Sequence, residues 1–138
     1  DLIQAFIVNN KKIENVLISD STLIGNYYNN LWNITNINAK YSIDYGNNFN
    51  VFPYKKTSTS DVLLTTGAYE KFLLINIYDV AGNLGEWTLE KNSDDSSPCV
   101  VSGGSYCNNG SNSSANHRFT YDTSYNDFGI GFRIGLWK

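Results

Sequence analysis

The chain has 138 residues, 41% apolar and 14% aromatic, enough for one globular domain with its own core and too little for two comparable ones. Thirteen acidic against ten basic side chains leave a formal charge of −3 with no basic stripe, so a phosphate backbone finds no footing and nucleic acid is not an expected partner. No window carries the roughly eighteen apolar residues that a membrane span requires, so no membrane contact by this chain is expected.

The sequence opens at Asp1 with neither an initiator methionine nor a charged-then-apolar leader, the expected beginning of a piece of a longer protein. Leu2, Ile3, Phe6 and Ile7 have the spacing of a short amphipathic helix over residues 2–10. Lys11 and Lys12 would favour its C-terminal end. Residues 13–18 are too few to assign. From 20 to 60 the chain is rich in Asn and Tyr and keeps no regular period. Irregular chain is expected there, packed through Tyr27, Tyr28, Trp32, Tyr41, Tyr45, Phe49 and Phe52. The abundance of Asn throughout reads as compositional bias, with selection for contact as the alternative.

Leu63 and Leu64, then residues 65–72, predict a turn and a brief helix. Strand-like runs follow at 85–89, 99–106 and 129–136, each short and β-branched or aromatic. Between the last two, residues 108–127 predict a long loop, a feature that in a compact domain is usually functional or disordered. If 99–106 is one extended strand, Cys99 and Cys107 stand eight steps of about 3.3 Å apart, well past the ~7 Å reach of a disulfide. No internal repeat or linker divides the 138 residues, so a single domain over 1–138 is expected.

Asp79 and Glu86 are separated by a Gly82-Asn83 turn. Two carboxylates so placed can converge on a hard cation. A metal-free turn accounts for them equally, with Asp79 capping backbone amides and Glu86 paired with an arginine such as Arg133. Trp87, Gly103, Gly104, Arg118 and Gly131-Phe132-Arg133 read as scaffold. A lone histidine, His117, has no nucleophile or orienting carboxylate beside it in sequence. The long loop and its entrance carry Tyr106, Asn108, Asn109, Asn112, Asn116, His117, Phe119, Tyr121, Tyr125 and Asn126. Rigid tyrosines among adaptable Asn and Ser are what paratopes favour, so a ligand-contacting face is expected. The alternative is a solvated loop whose aromatics pack inward.

The blocks Asp79-Val80-Ala81-Gly82-Asn83-Leu84-Gly85-Glu86-Trp87-Thr88, Gly103-Gly104-Ser105-Tyr106 and Gly131-Phe132-Arg133, in that order, resemble the formylglycine-generating-enzyme family, a branch of the C-type-lectin-like superfamily with the phrases D-x-x-G-N-V-W-E-W-T, R-G-G-S-W and G-F-R. Gly85 replaces the family's Trp, and Ser102 its Arg. The resemblance implies an α+β domain: a small twisted antiparallel sheet, short helices and much irregular chain. It also implies a structural calcium held by the Asp79 and Glu86 carboxylates and the Gly82 and Leu84 carbonyls.

Catalytic members hold copper with a cysteine pair. Here Cys107 lies near the first position, and Asn112 stands at the distance of the second. Iron-dependent relatives need three histidines, and this chain has one. Neither copper nor iron is therefore expected, nor an enzyme. What the resemblance implies instead is a non-catalytic binding module of a bacterial surface, pilin-like or phage receptor-binding protein. Such modules include the variable proteins of diversity-generating retroelements. The expected partner is a protein or glycan on a cell surface, with a homo-oligomer or a pilus or fibre as the assembly. The alternative is a metal-dependent oxidase of the formylglycine-generating or sulfoxide-synthase type.

Overall fold

The computed structural model describes residues 11–74 and 76–133. The helix expected over 2–10 and the end of the strand expected over 129–136 lie outside them. Helix α1 (Lys11–Ile18) forms where the sequence was too short to assign, and Lys11 and Lys12, expected to close a helix, belong to it instead. Leu17 is fully buried while Ile18 is exposed. The helix ends where the Ser19 amide donates to Asn15 O (2.9 Å) and the Ser21 hydroxyl to Val16 O (2.8 Å), which satisfies carbonyls that have no partner within the helix.

The Asn- and Tyr-rich region is less irregular than expected. It holds strands β1 (Trp32–Asn33), β2 (Lys40–Ser42), β3 (Asn50–Val51) and β4 (Lys55–Lys56), and is followed by β5 (Leu63–Leu64). β1 pairs with β4, and β2 lies between β3 and β5, all antiparallel. Polar residues interrupt each run after two or three positions. Tyr27 and Trp32 are buried and Tyr41 is half-buried against Tyr54, ring centroids 4.1 Å apart. Tyr28, Tyr45, Phe49 and Phe52, expected to pack inward, are exposed.

The brief helix expected over 68–72 is a single 3-10 turn, Glu70–Phe72. It leads into the hairpin of β6 (Leu73–Leu74) and β7 (Ile77–Tyr78). The largest sheet follows, in the order β10-β9-β8-β11, from β8 (Gly85–Lys91), β9 (Cys99–Ser102), β10 (Arg118–Tyr121) and β11 (Ile130–Gly131). β8, β9 and β10 are antiparallel, whereas β11 runs parallel to β8, so the sheet is mixed. Two expectations are corrected here. The strand expected over 99–106 stops at Ser102, because Gly103 turns the chain at φ 75°, a conformation that glycine adopts without steric cost. The loop expected over 108–127 contains β10, whose Arg-Phe-Thr-Tyr sequence suits a half-buried strand. Cys99 and Cys107 are free thiols.

The described residues therefore form a small β-rich domain with one short α-helix and one 3-10 turn. None of its helices is long and apolar enough to cross a membrane. Two apolar clusters fill it. Trp32, Ile34, Ala39, Val62, Leu64, Ala68 and Phe72 form one, and Leu17, Tyr27, Ala81 and Ala115 the other. Between them, Asn26 and Gly82 form an isolated parallel bridge.

Candidate functional site

The turn between Asp79 and Glu86 is built from left-handed residues: Asp79 (φ 54°), Gly82 (φ 65°) and Asn83 (φ 62°). This folds the chain round a concavity of about 400 Å³ lined by Asp79, Gly82, Leu84 and Glu86, the four residues expected to hold calcium, and also by Arg133. Arg133 supplies the charge that meets them. Its Nε donates to Glu86 Oε1 at 2.8 Å, and Nη2 lies 2.7 Å from the same oxygen. Its Nη1 and Nη2 also donate to the carbonyls of Tyr78 (3.1 Å) and Asp79 (2.8 Å).

The Asp79 carboxylate is buried and accepts from the Gly67 amide at 3.2 Å. Burial pushes its pKa up to about 6, against the pull of that amide and of Arg133. As arranged, these acceptor oxygens fit a guanidinium. A calcium ion here would need Glu86 released from Arg133 and Asp79 fully ionised. Asp79 accepts a backbone amide and Glu86 pairs with Arg133, the two contacts expected of a turn without metal.

The residues expected to contact a ligand divide into two groups. Residues 108–117 are largely framework. Ser113, Ser114 and Ala115 are buried. The Ser114 hydroxyl donates to Ile18 O (2.7 Å), the Asn116 amide to Leu17 O (3.0 Å) and the Ala115 amide to the Ser21 hydroxyl (2.9 Å), which ties this segment to the end of α1. Asn108 accepts from the Ser105 amide at 2.8 Å, and Asn109 from Ser111 at 2.7 Å, so both brace turns. A Cβ on Gly104 would lie 2.6 Å from Ser113 Cβ, so the Gly-Gly pair is where this segment packs against β9. Tyr106, expected at the contact face, is 1% exposed, and its ring forms part of the cavity wall described next. Asn112 and Asn126 are exposed and do not line that cavity.

The second group forms a face. Phe119 and Tyr121 alternate along β10 and His117 immediately precedes it, so the three side chains follow one side of the sheet. His117 packs on Phe119 (4.3 Å between centroids), Phe119 on Tyr121 (6.4 Å), and Tyr121 on Tyr125 (3.9 Å, 9° from parallel). From β8, Trp87 meets Tyr121 edge-on at 6.1 Å. Beside these rings lies a cavity of about 310 Å³ whose walls include Tyr45, Tyr106, Cys107, Asn108, Phe119, Tyr121, Tyr125, Asp127 and Phe128. Burial, then Tyr125, pushes the Tyr121 hydroxyl pKa up. The Cys107 thiol is likewise pushed up, first by desolvation and then by Asp61, the opposite of what activates a thiolate.

Tyr45, Trp87, Asp127 and Phe128 were not among the expected contacts. Phe128 is 71% exposed, and its place next to Tyr125 and Asp127 is the one signal in sequence that could have included it. Tyr45 reaches the cavity from a distant turn, at φ 60°, and nothing local marks it. Among the described residues no three His, Cys, Asp or Glu side chains gather into a group. Comparison with protein-family models, with curated proteins and with solved structures finds no match for this chain.

Proposed function

We propose that this chain is a non-catalytic ligand-binding module displayed on a bacterial surface or a phage particle, with the C-type-lectin-like architecture that its motifs resemble. It grips a protein or glycan through the aromatic side of its main sheet. The observation that carries this reading is the continuous run from His117 through Phe119 and Tyr121 to Tyr125, stacked beside a cavity with its two central rings mounted on β10. Rings already held against one another lose little rotamer freedom when a ligand arrives. Placing them on a sheet, with contact residues at its end, separates what touches from what supports. Retroelement diversification belongs to the same reading, with substitutions gathered on this face. A structural calcium is not required by it, because Arg133 already joins the Asp79–Glu86 turn.

The test is a binding screen of the purified chain against peptide and glycan collections, followed by Tyr121→Ala and Tyr125→Ala. Both variants are expected to keep an unfolding free energy within about 1 kcal/mol of the parent and to lose the selected ligand. Binding that survives both substitutions would place the contact elsewhere and end this reading.

A further inference from the structure

The cavity beside the aromatic run has a one-sided electrostatic character. Among the described residues no lysine, arginine or histidine lines it, and Asp127 is its one carboxylate. Asp127 is exposed. It is fixed in place, with Oδ1 accepting from the Gly129 amide at 2.7 Å, while the Tyr125 hydroxyl approaches Oδ2 at 3.4 Å. Phe119, Tyr121 and Tyr125 stand round it, and aromatic faces carry negative potential. The Tyr106 ring belongs to the same wall, and its buried hydroxyl faces the neighbouring Cys107 thiol.

Resting on the binding reading above, we propose that this cavity receives the guanidinium of an arginine on a partner protein. An arginine can lie flat against Tyr121 or Tyr125 and present paired N–H groups to Asp127, whereas an anion would meet a carboxylate and ring faces of like sign. Size and rim favour a side chain over a free ligand. At about 310 Å³ the cavity is at the bottom of the roughly 300–1,000 Å³ range of small-molecule sites. Its rim carries Tyr45 and Phe128, 52% and 71% exposed, apolar area that the surface surrounding an inserted arginine would cover.

The experiment pans a random peptide library against the whole chain and maps the selected peptides by amide chemical shifts. Selected sequences are expected to share an arginine and to shift Tyr121, Tyr125 and Asp127. Replacing that arginine by citrulline should weaken binding about tenfold or more, the loss typical of a charge-assisted hydrogen bond. Asp127→Asn, which keeps the oxygen that Gly129 needs, should weaken it similarly, and Tyr125→Leu tests the ring while keeping bulk. Peptides that occupy the cavity without a cation, or that accept citrulline or lysine unchanged, overturn the arginine and leave the binding surface standing. Failure of every peptide and glycan to engage the cavity removes both. Self-association of the chain through this face, read by sedimentation, would overturn the proposed partner.

Discussion

Asn26 and Asn83, 57 positions apart, form one hydrogen-bonded unit at the centre of the molecule. Asn26 Nδ2 donates to Asn83 Oδ1 (2.9 Å) and to Val62 O (2.6 Å), while its Oδ1 accepts from the Trp32 indole (3.1 Å). Asn83 Oδ1 also accepts from the Leu64 amide (3.0 Å), its Nδ2 donates to Leu64 O (2.9 Å), and its own amide donates to Asn26 O (2.7 Å). Both side chains are buried. Asn83→Ala would leave several of these partners unsatisfied and put alanine at φ 62°, so a loss of about 3–5 kcal/mol is expected in urea denaturation. Asn26→Ala should cost a similar amount. Because the two belong to one network, the double variant should lose much less than the sum. Full additivity would show that they act separately.

Gly82 and Gly67 make a controlled pair. Both have positive φ, 65° and 74°. A Cβ on Gly82 would lie 2.5 Å from the Asn26 carbonyl oxygen, whereas on Gly67 it would meet only the Tyr78 ring at 3.6 Å. Gly67→Ala is expected to cost about 1–2 kcal/mol, the backbone term alone. Gly82→Ala must also push apart the two strands of chain that Asn26 and Asn83 join, and should prevent cooperative folding. Equal midpoints for the two variants would remove the close approach as the reason for glycine at 82.

Asp79 should leave a signature in the pH dependence of stability. Its carboxyl is raised to about 6 by burial, against about 3.9 in an unfolded chain. The folded form therefore holds the proton more tightly. The stability linked to that proton is complete below about pH 3.9 and lost as pH rises through about 6. Asp79→Asn mimics the protonated form and suits φ 54°. The variant should match the parent near pH 4 and exceed it by about 2–3 kcal/mol at pH 7. Denaturation of both proteins at the two pH values checks it, and a constant difference would refute the assignment.

Glu86 is paired with Arg133, so a calcium ion at this turn would have to displace the guanidinium. Millimolar calcium added after chelator treatment is expected to leave the thermal midpoint of the parent unchanged. Glu86→Gln should cost about 1 kcal/mol, because the ion pair is only partly shielded from solvent. A midpoint that climbs with calcium concentration, and no longer does so in Glu86→Gln, would establish a calcium site at this turn.

Part of this arrangement was legible in the sequence. The carboxylates flanking Gly82-Asn83 announced a turn that needs a cation, and Arg133 was named as a partner for Glu86. The strands expected over 85–89 and 99–106 showed themselves through β-branched and aromatic residues, though the second ends at Ser102. β10 did not, because four residues inside a polar stretch give too short a pattern to separate from loop. The Asn26–Asn83 unit was hidden for a different reason: asparagine is ordinarily a surface residue, and only the fold reveals which few of many are interior. Tyr106 was ambiguous for the opposite reason, since a tyrosine serves a core as readily as a contact face, and here its buried ring also lines the cavity.

The attachment of residues 108–117 to the end of α1 decides where this molecule can be rewritten. A combinatorial library spread over 109–116 would mostly yield unfolded clones, since its buried serines and Ala115 clamp the helix. One confined to Phe119, Tyr121, Tyr125 and Phe128 would resurface the protein while sparing that clamp, and so offers the practical route to new specificities.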